Sequence, residues 1–511
     1  MPVRMEAITR ASLMSIGRLT WLCIGLLLPA AVRAAPPAPA APNIVFILTD
    51  DQGWADVTTP MDPRFPEATV DAVDTPNLDR LAREGMRFAS GYAPAANCTP
   101  SRRSIQFGMT PARQRGTEFV GDFMPEGHLS IPQALRRANP AYRCAHFGKW
   151  GEHMSGPATP PPDYDPNMAA NPTALGYDES DGLTGNLTGT QYFKAVYGAE
   201  KAKLDHVLSP DPDPKRTFSV TSRAVSFLER CAAEKRPFYL QVSYYAIHAA
   251  LQARPETIEK YKDRGPPSRN MDAGNRPMLD DLDVGVGQVL DALDRLGLAD
   301  KTYVFFCSDN GGSPLPPAHV RKDASDRNHP LAGAKQQLLE GGIRVPFIVR
   351  GPGVAAAAVC REPVAAYDLL PTFYALAGGR EPLPEEIDGG DLGPLLRGGG
   401  AGADIRRAAP GLVFHRPKAG RKESVLRQGD FKLILIWSGP GRIASRALYD
   451  LSTDIGEKNN LAEEMPDKAA AMEAALLGYL KAVNAETAPP PRQGAGPRPP
   501  NRPAPARGAG A

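Results

Sequence analysis

The chain has 511 residues, enough for one large domain and a smaller one around a substantial buried core. Its 59 basic and 57 acidic side chains leave a net charge of +2, so the composition argues against a nucleic-acid partner. Four arginines between residues 102 and 115 form a local basic run. Charge alone favours a solvated surface there over the rim of an anion-binding cleft.

Residues 1–34 have the pattern of a secretory signal. Three arginines precede an apolar stretch over residues 19–31. Val32-Arg33-Ala34 follows this stretch and resembles the cleavage site of a secretory signal. The stretch is too short for a comfortable membrane span, so an uncleaved anchor is the less favoured alternative. We therefore predict export to the periplasm or the medium, with no stable membrane span after cleavage. An Ala/Pro linker follows at residues 35–42.

Five of the six cysteines remain once residues 1–34 are removed, and this number is odd. In an oxidising compartment an odd cysteine suggests a reactive thiol or one consumed by other chemistry. No CxxC pair occurs, so a structural zinc site is not expected. The remaining cysteines are Cys98, Cys144, Cys231, Cys307 and Cys360.

Strand and helix patterns alternate along the first part of the chain. Short unbroken apolar runs are typical of strands that a parallel sheet buries on both faces. Helical patterns over residues 75–85 and 282–296 each end at a glycine. The alternation predicts an α/β fold, with a large, mostly parallel sheet sandwiched by helices. The apolar runs lie at residues 43–48, 238–242, 303–307 and 345–349.

The pattern changes after a Gly/Ala-rich break at residues 398–403. A strand is predicted at 431–437 and a helix near 469–483, which suggests a small α+β domain. We therefore divide the chain into a large domain at 43–397, a small C-terminal domain at 398–486 and a disordered tail at 487–511. The tail is rich in Pro, Gly, Ala and Arg, a composition that does not support a packed core.

Polar residues follow two of the predicted strands. Asp50 and Asp51 end the first, and Asp309 and Asn310 follow the run at 303–307. Because ligands bind beyond the carboxyl ends of strands in an open α/β sheet, these oxygens are expected at one edge. Such ligands suit calcium or magnesium better than zinc. Either pair alone would more often cap a helix or fill a turn, whereas both together make a metal site equally plausible.

A cysteine motif favours the metal site. Cys98-Thr99-Pro100-Ser101-Arg102 resembles the C-x-P-S-R signature of the type I sulfatase family, in the alkaline phosphatase-like superfamily. Further matching segments follow the family order. They are residues 43–56 with the paired aspartates, 147–150 with G-K-W, 244–248 with the histidine motif, 308–312 with D-N-G-G, 335–346 with K-x-x-x-x-E-G-G-x-R-V-P, and 449–461 near the C-terminus.

The resemblance implies an alkaline phosphatase-like fold and hydrolysis of sulfate monoesters. Formylglycine-generating machinery would oxidise Cys98 to formylglycine during export, and the aldehyde would be hydrated. One hydroxyl would displace the alcohol from sulfur, and the other would let the covalent sulfate leave as the aldehyde reforms, which a serine could not do. One calcium ion would be held by Asp50, Asp51, Asp309, Asn310 and the modified residue 98.

The family also implies roles for the cationic side chains, which neutralise charge that spreads over the sulfate. Arg102 would steady the diol, and Lys149 and Lys335 would bind sulfate oxygens. His248 would contact the sulfate or protonate the leaving oxygen. Asp309 is a candidate base toward the diol.

Two positions depart from the family pattern. Gly151 stands where a histidine commonly follows G-K-W, and His153 is the candidate to replace it. Gln106-Phe107 replaces the usual Leu-Thr before Gly108, in a stretch that helps the modifying machinery recognise the signature. The second departure bears on whether Cys98 is converted.

Two alternatives stay open. The first is a phosphoester or phosphonate ester hydrolase of the same superfamily, although phosphonate monoester hydrolases tend to have histidine where this chain has Asn310. The second is a secreted, non-catalytic binding protein in which Cys98 stays a thiol. If the chain is a sulfatase, a sulfated saccharide is the expected substrate. The long loop predicted at 155–189 and the C-terminal domain are expected to line the cleft.

Overall fold

The computed structural model describes residues 41–489 except 72, 120–122, 152–170, 183, 185–211, 250–251, 264–274, 315–325 and 403. The predicted signal at 1–34, most of the linker and nearly all of the tail lie outside the described residues. So do His153 and most of the loop predicted at 155–189. The domain boundaries remain predictions.

Strands account for two sheets and one short strand pair. In chain order they are β1 Asn43–Thr49, β2 Met86–Phe88, β3 Gly91–Tyr92, β4 Arg143–Gly148, β5 Glu179–Ser180, β6 Phe238–Ser243, β7 Thr302–Ser308, β8 Phe347–Arg350, β9 Ala358–Cys360, β10 Val364–Ala365, β11 Leu412–Arg416, β12 Glu423–Gln428, β13 Phe431–Gly439 and β14 Arg442–Asp450.

Eleven α-helices lie in the described residues. They are α1 Pro76–Glu84, α2 Cys98–Phe107, α3 Pro111–Gln114, α4 Ile131–Ala138, α5 Thr217–Glu234, α6 Pro255–Tyr261, α7 Asn275–Arg295, α8 Glu340–Ile343, α9 Leu369–Leu376, α10 Gly393–Arg397 and α11 Pro466–Ala482. Short 3-10 turns occur at Ala299–Lys301, Asp326–Asn328 and Ala366–Asp368. None of the helices in the described ranges combines the length and apolarity needed to cross a bilayer.

The large sheet has eight strands in the order β5-β4-β6-β1-β7-β8-β2-β9. Its centre is parallel, because β4 pairs with β6, β6 with β1, and β1 with β7 in the same direction. The register aligns the strand ends: Thr49 lies opposite Ser308, and Gly148 lies opposite Ser243. The residues that follow these four strands therefore meet at one edge of the sheet.

Every residue of β1 is buried, because helices cover both faces of the sheet. Val45 and Ile47 point into one core, which includes apolar residues of α1, α5 and α7. Ile44, Phe46 and Leu48 point into the other, which includes α4 and α9. The predicted sandwich of helices around a mostly parallel sheet is confirmed, as are the helices predicted at 75–85 and 282–296.

One strand direction differs from the expectation. The run at 345–349 was grouped with the parallel strands, but β8 runs antiparallel to both of its neighbours, β7 and β2. All four residues of β8 are buried. An unbroken apolar run reports burial on both faces, and that burial does not depend on strand direction.

A separate antiparallel sheet lies near the C-terminus, with strand order β11-β12-β13-β14. Helix α11 packs on it through Leu476, which shares a core with Leu426 and Leu433. This is the small α+β unit that the sequence predicted. The five cysteines in the described residues are all free and buried.

Candidate active site

The end of β1 places two consecutive aspartates at the carboxyl edge of the sheet. The amide of Asp50 donates to the carbonyl oxygen of Ala246 at 3.0 Å, which ties β1 to the segment after β6. Asp51 has a left-handed backbone with φ of 60°, an uncommon conformation for a residue with a side chain. Arg327 stabilises it by donating from Nη2 to the Asp51 carbonyl oxygen at 3.0 Å.

The end of β7 lies beside these aspartates. Oδ1 of Asp309 accepts from the Asp51 amide at 3.2 Å, and Nδ2 of Asn310 donates to Oδ1 of Asp51 at 2.8 Å. Gly311 follows because the chain passes very close to α8: a Cβ atom at this position would lie 2.0 Å from the carbonyl oxygen of Gly341. The two acidic segments predicted to converge do so.

Each aspartate of the pair has its own lysine. Nζ of Lys149, which follows β4, lies 2.5 Å from Oδ2 of Asp50. Nζ of Lys335 lies 2.6 Å from Oδ1 of Asp51. All four side chains are buried or nearly so. The site therefore holds two ion pairs away from water, where each charge interacts strongly with its partner.

His248 completes one side of the site. Its Nε2 lies 3.8 Å from Oδ2 of Asp51, and its Nδ1 contacts the carbonyl oxygen of Ala249. A carbonyl oxygen only accepts, so Nδ1 carries a proton and Nε2 has the lone pair in the neutral ring. Burial lowers the pKa of His248, although Asp50 and Asp51 oppose the change.

Cys98 is the first residue of α2, and its side chain is 2% exposed. The charges of Lys149, Lys335, Asp309 and Asp50 all influence the pKa of its thiol. Burial is the largest effect and raises the pKa of the thiol.

One turn further along α2, Arg102 faces the same site. Its Nε donates to Oδ2 of Asp309 at 2.7 Å. One of its terminal nitrogens donates to the Lys149 carbonyl oxygen at 2.7 Å. Arg102 therefore ties the helix to the ends of both β7 and β4.

The three carboxylates differ in how the site treats their charge. Burial alone would raise the pKa of Asp50, but Lys149 and His248 hold it below its usual value. Burial opposes ionisation of Asp51 too, yet Lys335 and His248 bring its pKa far below the usual range. Burial and the charge of Asp50 raise the pKa of Asp309 to about 6, in spite of Arg102. A third negative charge is thus unfavourable here unless further positive charge is added.

The donor set fits a hard cation. Oδ1 of Asp50 and Oδ1 of Asn310 are buried and accept no hydrogen bond. Unpaired buried oxygens are costly, and a bound cation would remove that cost. Ligand atoms of Asp50, Asp51 and His248 all lie within 4.8 Å of one another. Asp309 is not in that group, and its carboxylate is paired with Arg102.

Three site residues were not singled out from the sequence. Oγ of Ser313 donates to Oδ2 of Asp51 at 2.6 Å, and its place directly after D-N-G-G was the available signal. Lys215 donates from Nζ to the His248 carbonyl oxygen at 2.6 Å. Arg327 pairs with Asp56 at 2.9 Å and holds the Asp51 backbone. Lys215 and Arg327 lie outside the recognised motifs, so no local pattern indicated them.

Comparison with known proteins agrees with this geometry. A family model described as Sulfatase matches residues 42–379, well over half of the chain. The chain belongs to the sulfatase family. Human arylsulfatase A is 31% identical over 474 residues, covering 85% of this sulfatase and 86% of the relative. Mouse N-acetylgalactosamine-6-sulfatase is 31% identical over 396 residues, which cover 73% of this sulfatase and 69% of the relative. This sulfatase is therefore a sulfuric ester hydrolase.

Solved structures share the fold of this sulfatase. The protein Ps i-CgsB, in complex with k-i-k-neocarrahexaose, superposes with a TM-score of 0.66 at 24% identity, covering 86% of this chain and 93% of that one. BT4656, in complex with its substrate D-glucosamine-2-N,6-O-disulfate, superposes with a TM-score of 0.62 at 20% identity. The match covers 87% of this chain and 98% of that one. A phosphonate monoester hydrolase of Agrobacterium radiobacter superposes with a TM-score of 0.60 at 19% identity. The match covers 86% of this chain and 95% of that one. The alkaline phosphatase-like fold is thus confirmed.

The structure gives a physical reason for one departure from the family pattern. Gln106 on α2 is buried, and its Nε2 donates to Oε1 of Gln241 at 2.7 Å and to the Tyr177 hydroxyl at 2.8 Å. A buried amide needs such partners, and β6 supplies one of them. Gly151 is described, but His153, its predicted substitute, is not, so that assignment remains a prediction.

Proposed function

We propose that this sulfatase hydrolyses sulfate monoesters of a saccharide, using formylglycine formed from Cys98 together with one calcium ion. The observation that supports this most is the buried position of Cys98 one helical turn before Arg102, which pairs with Asp309 at the edge where Lys149 and Asp50 also meet. Positive charge next to a potential nucleophile is what attack on an anionic ester requires.

Calcium would be held by Asp50, Asp51, Asp309, Asn310 and the modified residue 98. The two unpaired oxygens, on Asp50 and Asn310, support this set. When bound, the ion would supply Lewis-acid polarisation of a sulfate oxygen. Its charge would also favour ionisation of Asp309, whose pKa is raised to about 6 in its absence.

The chain's own side chains would bind and orient the ester. With calcium bound to Asp50 and Asp51, Lys149 and Lys335 would be free to donate to sulfate oxygens. Arg102 would fix residue 98, because it links α2 to Asp309. His248 would bring a proton to the leaving oxygen from Nε2, which requires the imidazolium form, although burial lowers the pKa of the ring.

Modification of Cys98 would precede folding. The side chain is 2% exposed in the folded chain, so a modifying enzyme would have to act on the unfolded or emerging chain. This agrees with conversion during export, for which residues 1–34 would be the signal. The mature protein is expected to be periplasmic or secreted, after cleavage near Ala34. It would contain a catalytic domain at 43–397 and a small domain at 398–486.

The proposal of a saccharide substrate is supported by the names and ligands of related proteins. N-acetylgalactosamine-6-sulfatase is named for a sulfated sugar, and two structural neighbours were solved with carbohydrate ligands. The buried cations of the site would bind the sulfate group of such a substrate.

Two measurements test the proposal on protein exported by its native host. The first is the mass of the peptide that contains residue 98, where an aldehyde in place of the thiol is expected. Finding only cysteine would instead support a binding protein without turnover. The second compares an aryl sulfate with the matching aryl phosphate, with calcium present. Strong preference for the sulfate is expected, and preference for the phosphate would favour a phosphoester hydrolase.

A further inference from the structure

Lys335 lies on a segment that packs between the active site and the C-terminal sheet. We call residues 335–340 the Lys335 segment. On the active-site side, the Lys335 amide donates to the Gly312 carbonyl oxygen at 3.1 Å, and the Gln336 amide donates to Ala96 at 2.8 Å. Gln336 has φ of 75°, a conformation that persists only where the surroundings hold it.

The C-terminal sheet supplies much of that support. Arg416 at the end of β11 donates to the Gln336 carbonyl oxygen. Oε2 of Glu423 in β12 accepts from the Leu338 amide at 2.8 Å. These two contacts fall one and three residues after Lys335, so they fix the backbone from which its side chain reaches Asp51.

The far end of the Lys335 segment is held by buried charges. Nζ of Lys432 in β13 lies 2.9 Å from Glu340 and 2.8 Å from Glu457, and all three side chains are fully buried. Oε2 of Glu457 also accepts from the Glu340 amide at 2.7 Å. Ion pairs of this kind are rigid, because moving one partner exposes an uncompensated charge.

Arg416 also reaches toward Cys98. Its Nε lies 2.9 Å from Oε1 of Glu118, and Oε2 of Glu118 accepts from Nδ2 of Asn97 at 3.3 Å. Asn97 directly precedes Cys98 at the start of α2. Arg416 thus contacts Gln336, the residue after Lys335, directly. Through the Glu118 carboxylate it also reaches Asn97, the residue before Cys98.

We propose that the C-terminal sheet positions the active site, with Arg416 and Glu423 acting as positioning residues for Lys335. The inference deepens the proposed function and rests on it, because it assigns the role to a lysine expected to bind the sulfate group. Both residues bond to the backbone of the Lys335 segment. Their effect is to hold the Lys335 ammonium where the sulfate oxygens will lie, and small displacements of such groups are costly to turnover.

A merely structural contribution to folding predicts something different. Loss of packing between the two sheets would lower the melting temperature and the yield of active protein, but kcat per folded molecule would not change. A double-mutant cycle with Lys335 separates the two roles, because residues that act through one another show non-additive losses.

The experiment uses full-length exported protein and the single variants Arg416→Met, Glu423→Ala and Lys335→Ala, with each of the first two also combined with the third. Arg446→Met is the matched control: Arg446 is on β14 of the same sheet and pairs at 3.1 Å with Glu473, and it is half exposed. Active-site concentration is set by the residue-98 peptide mass, and kcat and KM are measured with an aryl sulfate.

We expect Arg416→Met and Glu423→Ala each to lower kcat/KM by about tenfold to a hundredfold. In the Lys335→Ala background Glu423→Ala should cost less than about threefold, Arg416→Met should keep only the part of its loss that arises beside residue 98, and Arg446→Met should have no effect in either background. Losses that multiply fully, or losses matched by Arg446→Met, would overturn the proposal. If Arg416→Met does not fold, the Glu423 cycle decides alone, since that residue accepts a single backbone hydrogen bond from the segment.

A second readout separates this inference from the proposed function. Affinity for inorganic sulfate, measured by calorimetry in the same proteins, should show the same non-additivity without turnover. If the wild-type protein hydrolyses no sulfate ester, the proposed function fails while the binding cycle still reports on positioning. If the ester is hydrolysed but both cycles are additive, only the positioning role fails.

Discussion

Nζ of Lys149 lies 2.5 Å from Oδ2 of Asp50, and the two side chains are 0% and 1% exposed. Lys335 makes the equivalent contact with Asp51, so both aspartates are neutralised by the protein itself. A divalent cation on these aspartates would replace the lysines as their partner. The lysines would then be free to bind an anionic group, which couples cation binding to binding of the sulfate ester.

Lys149→Met tests this coupling through stability. Without a cation, the variant leaves Asp50 buried and unpaired, and breaking a buried ion pair costs about 3–5 kcal/mol. With calcium the loss in melting temperature should be much smaller, because the ion compensates Asp50. Thermal unfolding with calcium or with a chelator measures the difference. Equal losses in both conditions would contradict cation binding at Asp50.

The matched control for that comparison is Lys262→Met. Lys262 pairs with Glu259 at 3.0 Å, but both side chains are mostly exposed. Exposed pairs contribute about 0–1 kcal/mol, so this variant should unfold like the wild type in either condition.

Cys98→Ser tests the role of residue 98. A serine that stays unmodified has a single hydroxyl and cannot form the geminal diol, so turnover of an aryl sulfate should fall by several orders of magnitude while the fold is retained. The measurement is kcat, with circular dichroism to verify folding. Cys360→Ser is the control, because Cys360 is also a buried free thiol but lies on the edge strand β9. Retained turnover in Cys98→Ser, with an unmodified serine in the peptide that contains residue 98, would exclude a formylglycine mechanism.

The strand ends were predictable from the sequence for a simple reason. Asp50 and Asp309 follow apolar runs, and neighbouring parallel strands end at the same edge, so their convergence needed no knowledge of long-range contacts. The direction of β8 was not predictable in that way, because an antiparallel strand buried on both faces has the same apolar run. Lys149 and His248 were found only through their motifs, since a lone lysine or histidine gives no local signal.

The supporting contacts could not be predicted. Lys215 lies 33 residues before its partner His248, and Glu423 lies 85 residues after Leu338. Such pairs depend on how helices and sheets pack, and neither periodicity nor composition encodes the pairing. The C-terminal sheet was therefore expected only to line the cleft, whereas it contacts the segment that carries Lys335.

Gly311→Ala should disrupt the site through the backbone. The added Cβ would lie 2.0 Å from the Gly341 carbonyl oxygen, which is part of α8 and has no freedom to move aside. We expect a loss of about 1–3 kcal/mol in the free energy of unfolding, together with weaker calcium binding because Asn310 is displaced. Chemical denaturation and calorimetry measure the two effects.

Gly312→Ala is the matched control for Gly311→Ala. There the added Cβ would lie 3.1 Å from Oδ1 of Asn328 and 3.2 Å from Cδ of Arg327, so much smaller shifts of side-chain atoms would relieve the contact. The loss should be clearly smaller. Equal losses at both positions would mean that the close approach of Gly311 to α8 does not limit the site.

Lys215→Met tests a buried charge beside His248. The Lys215 ammonium donates to a carbonyl oxygen instead of a carboxylate, and burial lowers its pKa to about 7. Removing it should leave stability unchanged or higher, because an incompletely compensated buried charge is lost. Turnover should fall by up to about a hundredfold, because the His248 backbone loses its anchor. Lys301→Met, on the exposed surface, should change neither quantity. Lower stability with unchanged kcat would show that Lys215 serves only the fold.

Glu457 gives the stability of the fold a pH dependence. Burial and the nearby charge of Glu340 raise the pKa of Glu457 to about 7, in spite of Lys432 between them. In the unfolded chain this carboxyl loses its proton at lower pH. At pH values between the pKa of Glu457 in the unfolded chain and its pKa in the folded chain, the folded state binds more protons than the unfolded state. The contribution of Glu457 to stability therefore falls as the pH rises through this range.

Glu457→Gln imitates the protonated carboxyl at every pH. The variant should match the wild type in free energy of unfolding near pH 5 and exceed it near pH 8, by on the order of 2 kcal/mol. Denaturation at the two pH values gives the comparison, with the exposed Glu464→Gln as a control for a general loss of negative charge. A variant that is less stable than the wild type by the same amount at both pH values would show that Glu457 stays ionised in the fold, and that Lys432 compensates both carboxylates fully.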